Sequence, residues 1–344
     1  MASWAQVASG GSNGGSWAAV AAKHEENDES SLEASVVEDE TVVEPTREEL
    51  GDLRLGLGRV WELGEKLRPG VDYQLDLQGY ATRRGKDYAR RPLFSFVRED
   101  VLSRPTFAAF LRLLDNYERE VGKKERVTKS EKAEESAFLD AVLKTAPMRY
   151  CHEYCVAKRV APASRSGFKR LLGSLWFRIY ASRRGGPPDS SGFEHWAVGE
   201  ERGDKHEVVG LHNWLQLFVE ERKGALNYHG YVSHDKRRPD EDQPVLSLQF
   251  TWTDVDDGSV DLKPTSTSII GSSPELELAL FTLAALAAGK DDPKTTRVDD
   301  GREITPVTLR SDDGADLMTF EINCVKWTVD GHPAIRTCYP SAIS

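Results

Sequence analysis

Three short segments carry the side chains best suited to chemistry. Phe193-Glu194-His195-Trp196 sets an imidazole beside a carboxyl group, Gly210-Leu211-His212-Asn213-Trp214 supplies a second imidazole, and Lys263-Pro264-Thr265-Ser266-Thr267-Ser268 puts an ammonium at the head of a hydroxyl-rich run. Imidazole titrates near neutrality, so one histidine can accept a proton while another donates one, each worth about 10² to 10⁴-fold in rate. A fixed ammonium stabilises an oxyanion as it develops. These are the needs of RNA transesterification: the 2′-hydroxyl loses a proton, the departing 5′-oxygen gains one, and the charge of the phosphorane is offset, all without a metal. A lone histidine is usually a packed core or surface residue, but two in neighbouring segments followed by such a lysine favour a shared site.

The elements that must position them follow from periodicity. Phe193, His195 and Ala197 alternate with Glu194, Trp196 and Val198, which predicts a short strand with His195 on the Phe193 face. Leu211, Trp214, Leu215, Phe218 and Val219 recur at helical spacing up to a Gly224 cap, which puts His212 in a first turn where the helix dipole favours its neutral form. Lys263 ends an alternating segment, and Thr265 to Ser268 read as a turn with free amides. Ser273 and Pro274 then open an apolar helix that should stop at Gly289. Gly192, Gly210 and Gly271 suggest tight turns delivering the three segments to one cleft.

Upstream the chain is mainly helical: a helix from Glu48 to Leu67, one from Pro105 with Ser103 as candidate cap, one from Ala133 behind the capping-box spacing Thr128 to Glu131, and one from Gly167 through Ile179. Tyr73 to Tyr80 reads as extended. Downstream, strands are expected at Val245 to Trp252, Val307 to Leu309 and Leu317 to Trp327, then a turn at Asp330-Gly331 and a last strand ending at Tyr339. The expected fold is α+β, a helical lobe over about 48–185 followed by a β-rich catalytic lobe with two helices over about 186–344.

The formal net charge of −11 argues at first against a nucleic-acid partner. Residues 25–49, however, hold eleven Asp and Glu against Arg47, so with Lys23 about −9 of that charge lies in the first forty-nine residues. The remainder is near neutral, with basic clusters at Arg83 to Lys86, Arg90-Arg91, Arg165 to Arg170 and Lys236 to Arg238. Residues 1–47 read as a disordered acidic tail, in which Ser3-Trp4-Ala5-Gln6-Val7-Ala8 is echoed by Ser16-Trp17-Ala18-Ala19-Val20-Ala21, a pattern that suits a protein partner as well as low-complexity drift. Cys151 and Cys155 have knuckle spacing, but Cys324 and Cys338 do not match it, which weighs against zinc. With no apolar signal segment and no long apolar run, a reduced, intracellular protein of the cytoplasm or nucleus without membrane attachment is expected.

The three segments together resemble the EndoU, or poly(U)-specific, endoribonuclease family, whose pattern runs Glu-His, apolar residues and Gly-Glu, then Gly-aromatic-His-Asn-Trp, then Lys-Pro and Ile-Gly-x-Ser-Pro-Glu. Leu67 to Tyr73, Leu113 to Glu118 and Arg336-Thr337-Cys338-Tyr339-Pro340 carry the resemblance across nearly everything after residue 48. It implies His195, His212 and Lys263 as catalytic residues, and Glu194 and Glu200 as acidic positions tied to activity and to metal response. It also implies Thr267, Thr337 and Tyr339 as the base and phosphate pocket, Thr267 standing where a related coronaviral enzyme has its uridine-reading serine. Leu211 departs from the usual aromatic. The expected protein is a monomeric endoribonuclease that cuts single-stranded RNA at uridines and leaves 2′,3′-cyclic phosphates, with Mn²⁺ or Ca²⁺ as an optional activator. Two alternatives stand beside it: a non-catalytic RNA-binding module, which a missing catalytic residue would favour, and a metal-dependent phosphodiesterase in which His195, His212 and Glu194 or Glu200 hold a cation.

Overall fold

The computed structural model describes residues 44–233, 237–240, 242–254, 258–288, 296–299, 301–310 and 316–342. The first part is helical: α1 (Arg47–Gly51), α2 (Leu53–Leu63), the hairpin-like pair β1 (Tyr73–Leu75) and β2 (Phe94–Val97), then α3 (Glu99–Leu102), α4 (Pro105–Leu113), α5 (Lys129–Val142), α6 (Ala146–Ala157) and α7 (Arg165–Phe177). The helix expected over 48–67 is two helices, because Asp52 adopts an extended backbone and caps α2 through Arg54 N. The capping box at Thr128 and Glu131 forms and starts α5 at Lys129. Ser103 is not the cap of α4; Arg104 is, and Ser103 ends α3. The Cys151–Cys155 stretch lies inside α6, where Met148, Cys151, Tyr154 and Cys155 are core residues.

The second part holds β3 (Glu200–Arg202), β4 (Glu207–Val209), α8 (Trp214–Lys223), β5 (Leu226–Val232), β6 (Val245–Thr253), β7 (Val260–Ile269), α9 (Pro274–Ala287), β8 (Arg297–Asp299), β9 (Arg302–Arg310), β10 (Asp316–Val329) and β11 (His332–Ala342). One sheet has the order β3-β4-β7-β6-β5, the other β11-β10-β9-β8. The Asp330-Gly331 turn joins β10 to β11 with φ of 51° and 77°, the left-handed pair that a tight hairpin needs. Gly224 takes φ 76° and caps α8 as expected. Helix α9 is buried from Pro274 through Ala285, between α2 and α6 on one side and β10 and β11 on the other. A helix apolar almost all round has no solvent face to present, so α9 is the axis of the molecule. Gly289, its expected stop, lies outside the described residues. Among the described residues no helix is long and apolar enough to cross a membrane.

Two expectations about the site segments fail. Glu194–Val198 is a π-helical turn, not a strand, closed by Gly199 N donating to Glu194 O at 2.8 Å. Trp196 explains it: its ring is fully buried against Phe110, Trp176, Phe193 and Phe281, and a side chain of this size removes about 150–250 Å² from water, worth roughly 4–6 kcal/mol. Thr265 to Ser268, expected as a turn, continue strand β7, Ser266, Thr267 and Ser268 pairing with Leu248, Ser247 and Leu246 of β6.

Candidate active site

The wide turn gives His195 its partner. Gly199, at φ 91°, closes the π-helical turn and leads the chain into β3, where His195 Nδ1 lies 2.6 Å from Glu200 Oε2. The carboxylate accepts a hydrogen bond from Nδ1–H, which fixes the tautomer and leaves Nε2 for a reactant. His195 remains about one-fifth exposed while Glu200 is buried.

His212 arrives by a reversal made of two left-handed residues, Gly210 at φ 66° and Leu211 at φ 57°. A Cβ at Gly210 would collide with the His195 carbonyl, so only glycine allows this approach. The two segments are then stitched together by Leu211 N donating to His195 O at 3.0 Å and His212 N donating to Trp196 O at 2.8 Å. His212 is not in the first turn of α8, as expected, but one residue before its N-cap, Asn213. Its Nδ1 donates to Thr267 O at 3.1 Å and lies 3.4 Å from Ser266 Oγ, which itself donates to Leu211 O at 2.5 Å. Tyr339 of β11 stacks on the ring with centroids 4.6 Å apart and planes 15° from parallel.

Burial, reinforced by the positive charge of Lys263 and by His195, drives the His212 imidazole well below its usual range. It is therefore neutral at neutral pH. Lys263 is buried too, and desolvation lowers it to about 8 while Glu207 and Glu200 pull it back up. The two imidazole centroids are 6.4 Å apart.

The other expected site residues differ in what they can offer. Glu194 is fully buried beside His195 with neither carboxyl oxygen hydrogen-bonded; burial first, then the Glu200 and Glu125 carboxylates, raise it strongly, so it favours the protonated form. The Thr337 hydroxyl is buried without a hydrogen-bond partner among the described residues, whereas that of Thr267 is 2.8 Å from Ser247 Oγ. Ser266, the link between His212 and the Gly210 reversal, escaped sequence reading. Four consecutive hydroxyl residues, Thr265 to Ser268, carry no apolar alternation that would mark it.

The chain is similar to known endoribonucleases over most of its length. The family model for endoribonuclease XendoU matches residues 55–340. The chain is 44% identical over 237 residues to uridylate-specific endoribonuclease B of Danio rerio, covering 67% of this chain and 82% of that one, and 46% identical over 231 residues to poly(U)-specific endoribonuclease-B of Xenopus laevis, covering 65% and 77%. Among solved structures it resembles XendoU, described as a splicing-independent snoRNA-processing endoribonuclease, with a TM-score of 0.66 and 38% identity over 85% of this chain and 97% of that one. From Leu55 to Pro340, including every residue of the site just described, the chain belongs to the XendoU endoribonuclease family.

Proposed function

We propose that the protein is a uridylate-specific endoribonuclease that cuts single-stranded RNA by attack of the 2′-hydroxyl on the adjacent phosphodiester. The observation that carries this reading is the pair of imidazoles 6.4 Å apart in opposite settings, one neutral through burial and one bonded to a carboxylate. Neutral His212 takes the 2′-hydroxyl proton at Nε2. The 2′-oxygen then bonds to phosphorus, and the bond from phosphorus to the 5′-oxygen breaks. His195, held at Nδ1 by the Glu200 carboxylate, donates its Nε2 proton to that leaving oxygen. Lys263 supplies the charge that stabilises the phosphorane. The products are a 2′,3′-cyclic phosphate and a 5′-hydroxyl.

The base pocket is lined, as the family resemblance implies, by Thr267 as the uridine-reading residue with Thr337 beside it, while Tyr339 stacks on the His212 ring. The Mn²⁺ or Ca²⁺ expected from the family resemblance does not find a ligand set: among the described residues no three His, Cys, Asp or Glu side chains gather as metal ligands, and Glu194 favours its neutral form. The acid-base steps above need no ion. The test is an oligonucleotide with one uridine: ribose there should give a cyclic phosphate end, and 2′-deoxyribose should abolish cleavage. Cutting of the deoxy substrate would refute the mechanism.

A further inference from the structure

Both catalytic segments end on one buried carboxyl group that the chemistry above does not use. Glu277, in the first turn of α9, is fully buried. Its Oε2 accepts from Trp196 Nε1 at 3.1 Å and its Oε1 from Asn213 Nδ2 at 3.3 Å. Trp196 directly follows His195, and Asn213 directly follows His212. We propose that Glu277 is the positioning residue that sets the distance between the two imidazoles, by pinning the residue after each of them to the central helix. The inference rests on the reading of His195 and His212 as the proton-transfer pair.

The hydrogen-bond inventory says why a carboxyl group stands there. The Trp196 indole N–H can only donate. The Asn213 amide is equally fixed, since its Oδ1 already accepts from Leu215 N at 2.9 Å, so its NH₂ must face Glu277. A third contact closes the node: Ser272 Oγ lies 2.5 Å from Glu277 Oε1 and 2.6 Å from Ile269 O. One hydroxyl proton cannot serve both oxygens, and Ile269 O accepts only. A protonated Glu277 resolves the conflict: Oε1–H donates to Ser272, and Ser272 donates to Ile269. Burial pushes Glu277 up to about 8, in keeping with that state. Ser272 also accepts from Trp214 Nε1 at 2.7 Å through its carbonyl, so the turn after β7 is tied into the same node.

Glutamine has the same size but one acceptor oxygen, so its NH₂ must face either the Trp196 or the Asn213 donor. That makes the substitution informative. On an RNA oligonucleotide with a single uridine, Glu277→Gln is expected to lower kcat at least ten-fold with KM within two-fold, in protein whose unfolding midpoint stays above the assay temperature. Trp196→Phe removes one donor and keeps an aromatic ring; alone it should lower kcat about three-fold, and in Trp196→Phe/Glu277→Gln it should restore at least three-fold relative to Glu277→Gln. A kcat within two-fold of the parent in Glu277→Gln would overturn the proposal. If Glu277→Gln does not fold, parental kcat in Trp196→Phe overturns it instead. His195→Ala and His212→Ala belong in the same series: near-parental rates there would sink the proton-transfer reading itself, whereas their loss beside an unaffected Glu277→Gln would sink only the positioning role.

Discussion

Lys263 offers the sharpest test of the electrostatics, because its charge should be lost within an accessible pH range. Desolvation lowers it to about 8, so the ammonium is complete below that pH and falls about ten-fold per unit above it. If the ammonium stabilises the phosphorane, kcat/KM should fall along this limb to about one-tenth of its maximum at pH 9. Removing the charge by Lys263→Met should cost about 10² to 10³-fold, the usual size of one oxyanion-stabilising interaction. Glu207 is the largest charge holding Lys263 up, and its neighbour in the parallel pairing is Leu262. A unit charge on the order of 8 Å away, the usual spacing of diagonal neighbours on paired strands, contributes about 1–2 kcal/mol at an effective dielectric of about 20–40. The Glu207 side chain is 30% exposed, and solvent screening of that order roughly halves the figure. Glu207→Gln should therefore move the alkaline limb to lower pH by about half a unit. The assay is the cleavage rate of a fluorescent single-uridine oligonucleotide from pH 6 to 9.5, less the enzyme-free rate. More than half-maximal kcat/KM at pH 9, or an upward shift in Glu207→Gln, would refute the role given to Lys263.

Other consequences are as direct. Thr337→Val keeps the shape of the side chain and removes its hydroxyl, so the ratio of uridine to cytidine cleavage should fall about five- to ten-fold on paired oligonucleotides. Tyr339→Ala frees the His212 ring and should lower kcat at both bases. Gly210→Ala cannot adopt the reversal beside His195 and should leave kcat below one-hundredth of the parent in whatever protein folds. At the other end, deleting residues 1–43 should leave the unfolding midpoint unchanged, whereas deleting 1–46 removes the Thr46 capping box of α1 and should cost about 1 kcal/mol in chemical denaturation. Because Glu277 is raised from 4.5 to about 8, the folded state keeps a proton that the unfolded chain releases; stability should fall as pH rises from about 4.5 to 8, and less so in Glu277→Gln.

What could be read from the sequence, and what could not, divides along physical lines. Caps and turns have local causes, and Thr128, Gly224 and Asp330-Gly331 act where their chemistry says they should. The residue types of the site were legible for the same reason, since proton transfer near neutrality restricts the choice. The backbone around His195 was not. Phe193, Trp196, Ala197 and Val198 are all buried, and a short run buried on every side carries no period that separates strand from helix. Thr265 to Ser268 differ in the opposite direction: hydroxyls suggest a turn, but Ser266 and Ser268 are fully buried, and the Ser266 hydroxyl finds its partner, Leu211 O, in a distant segment. In the helix Ala146–Ala157 the cysteines have the spacing of metal ligands but are core residues, and Pro147 marks its start. Glu277 was invisible in isolation, since only the folded chain brings Trp196, Asn213 and Ser272 to it.

The central claim is that two imidazoles in unlike environments transfer the two protons of an RNA transesterification. The most direct measurement is single-turnover cleavage of an oligonucleotide whose scissile 5′-oxygen is replaced by sulfur, a leaving group that needs no proton. His195→Ala should be slowed at least 10²-fold on the oxygen substrate and largely restored on the sulfur substrate, while His212→Ala stays slow on both. Equal loss on both substrates for His195→Ala, or restoration of His212→Ala, would contradict the assignment.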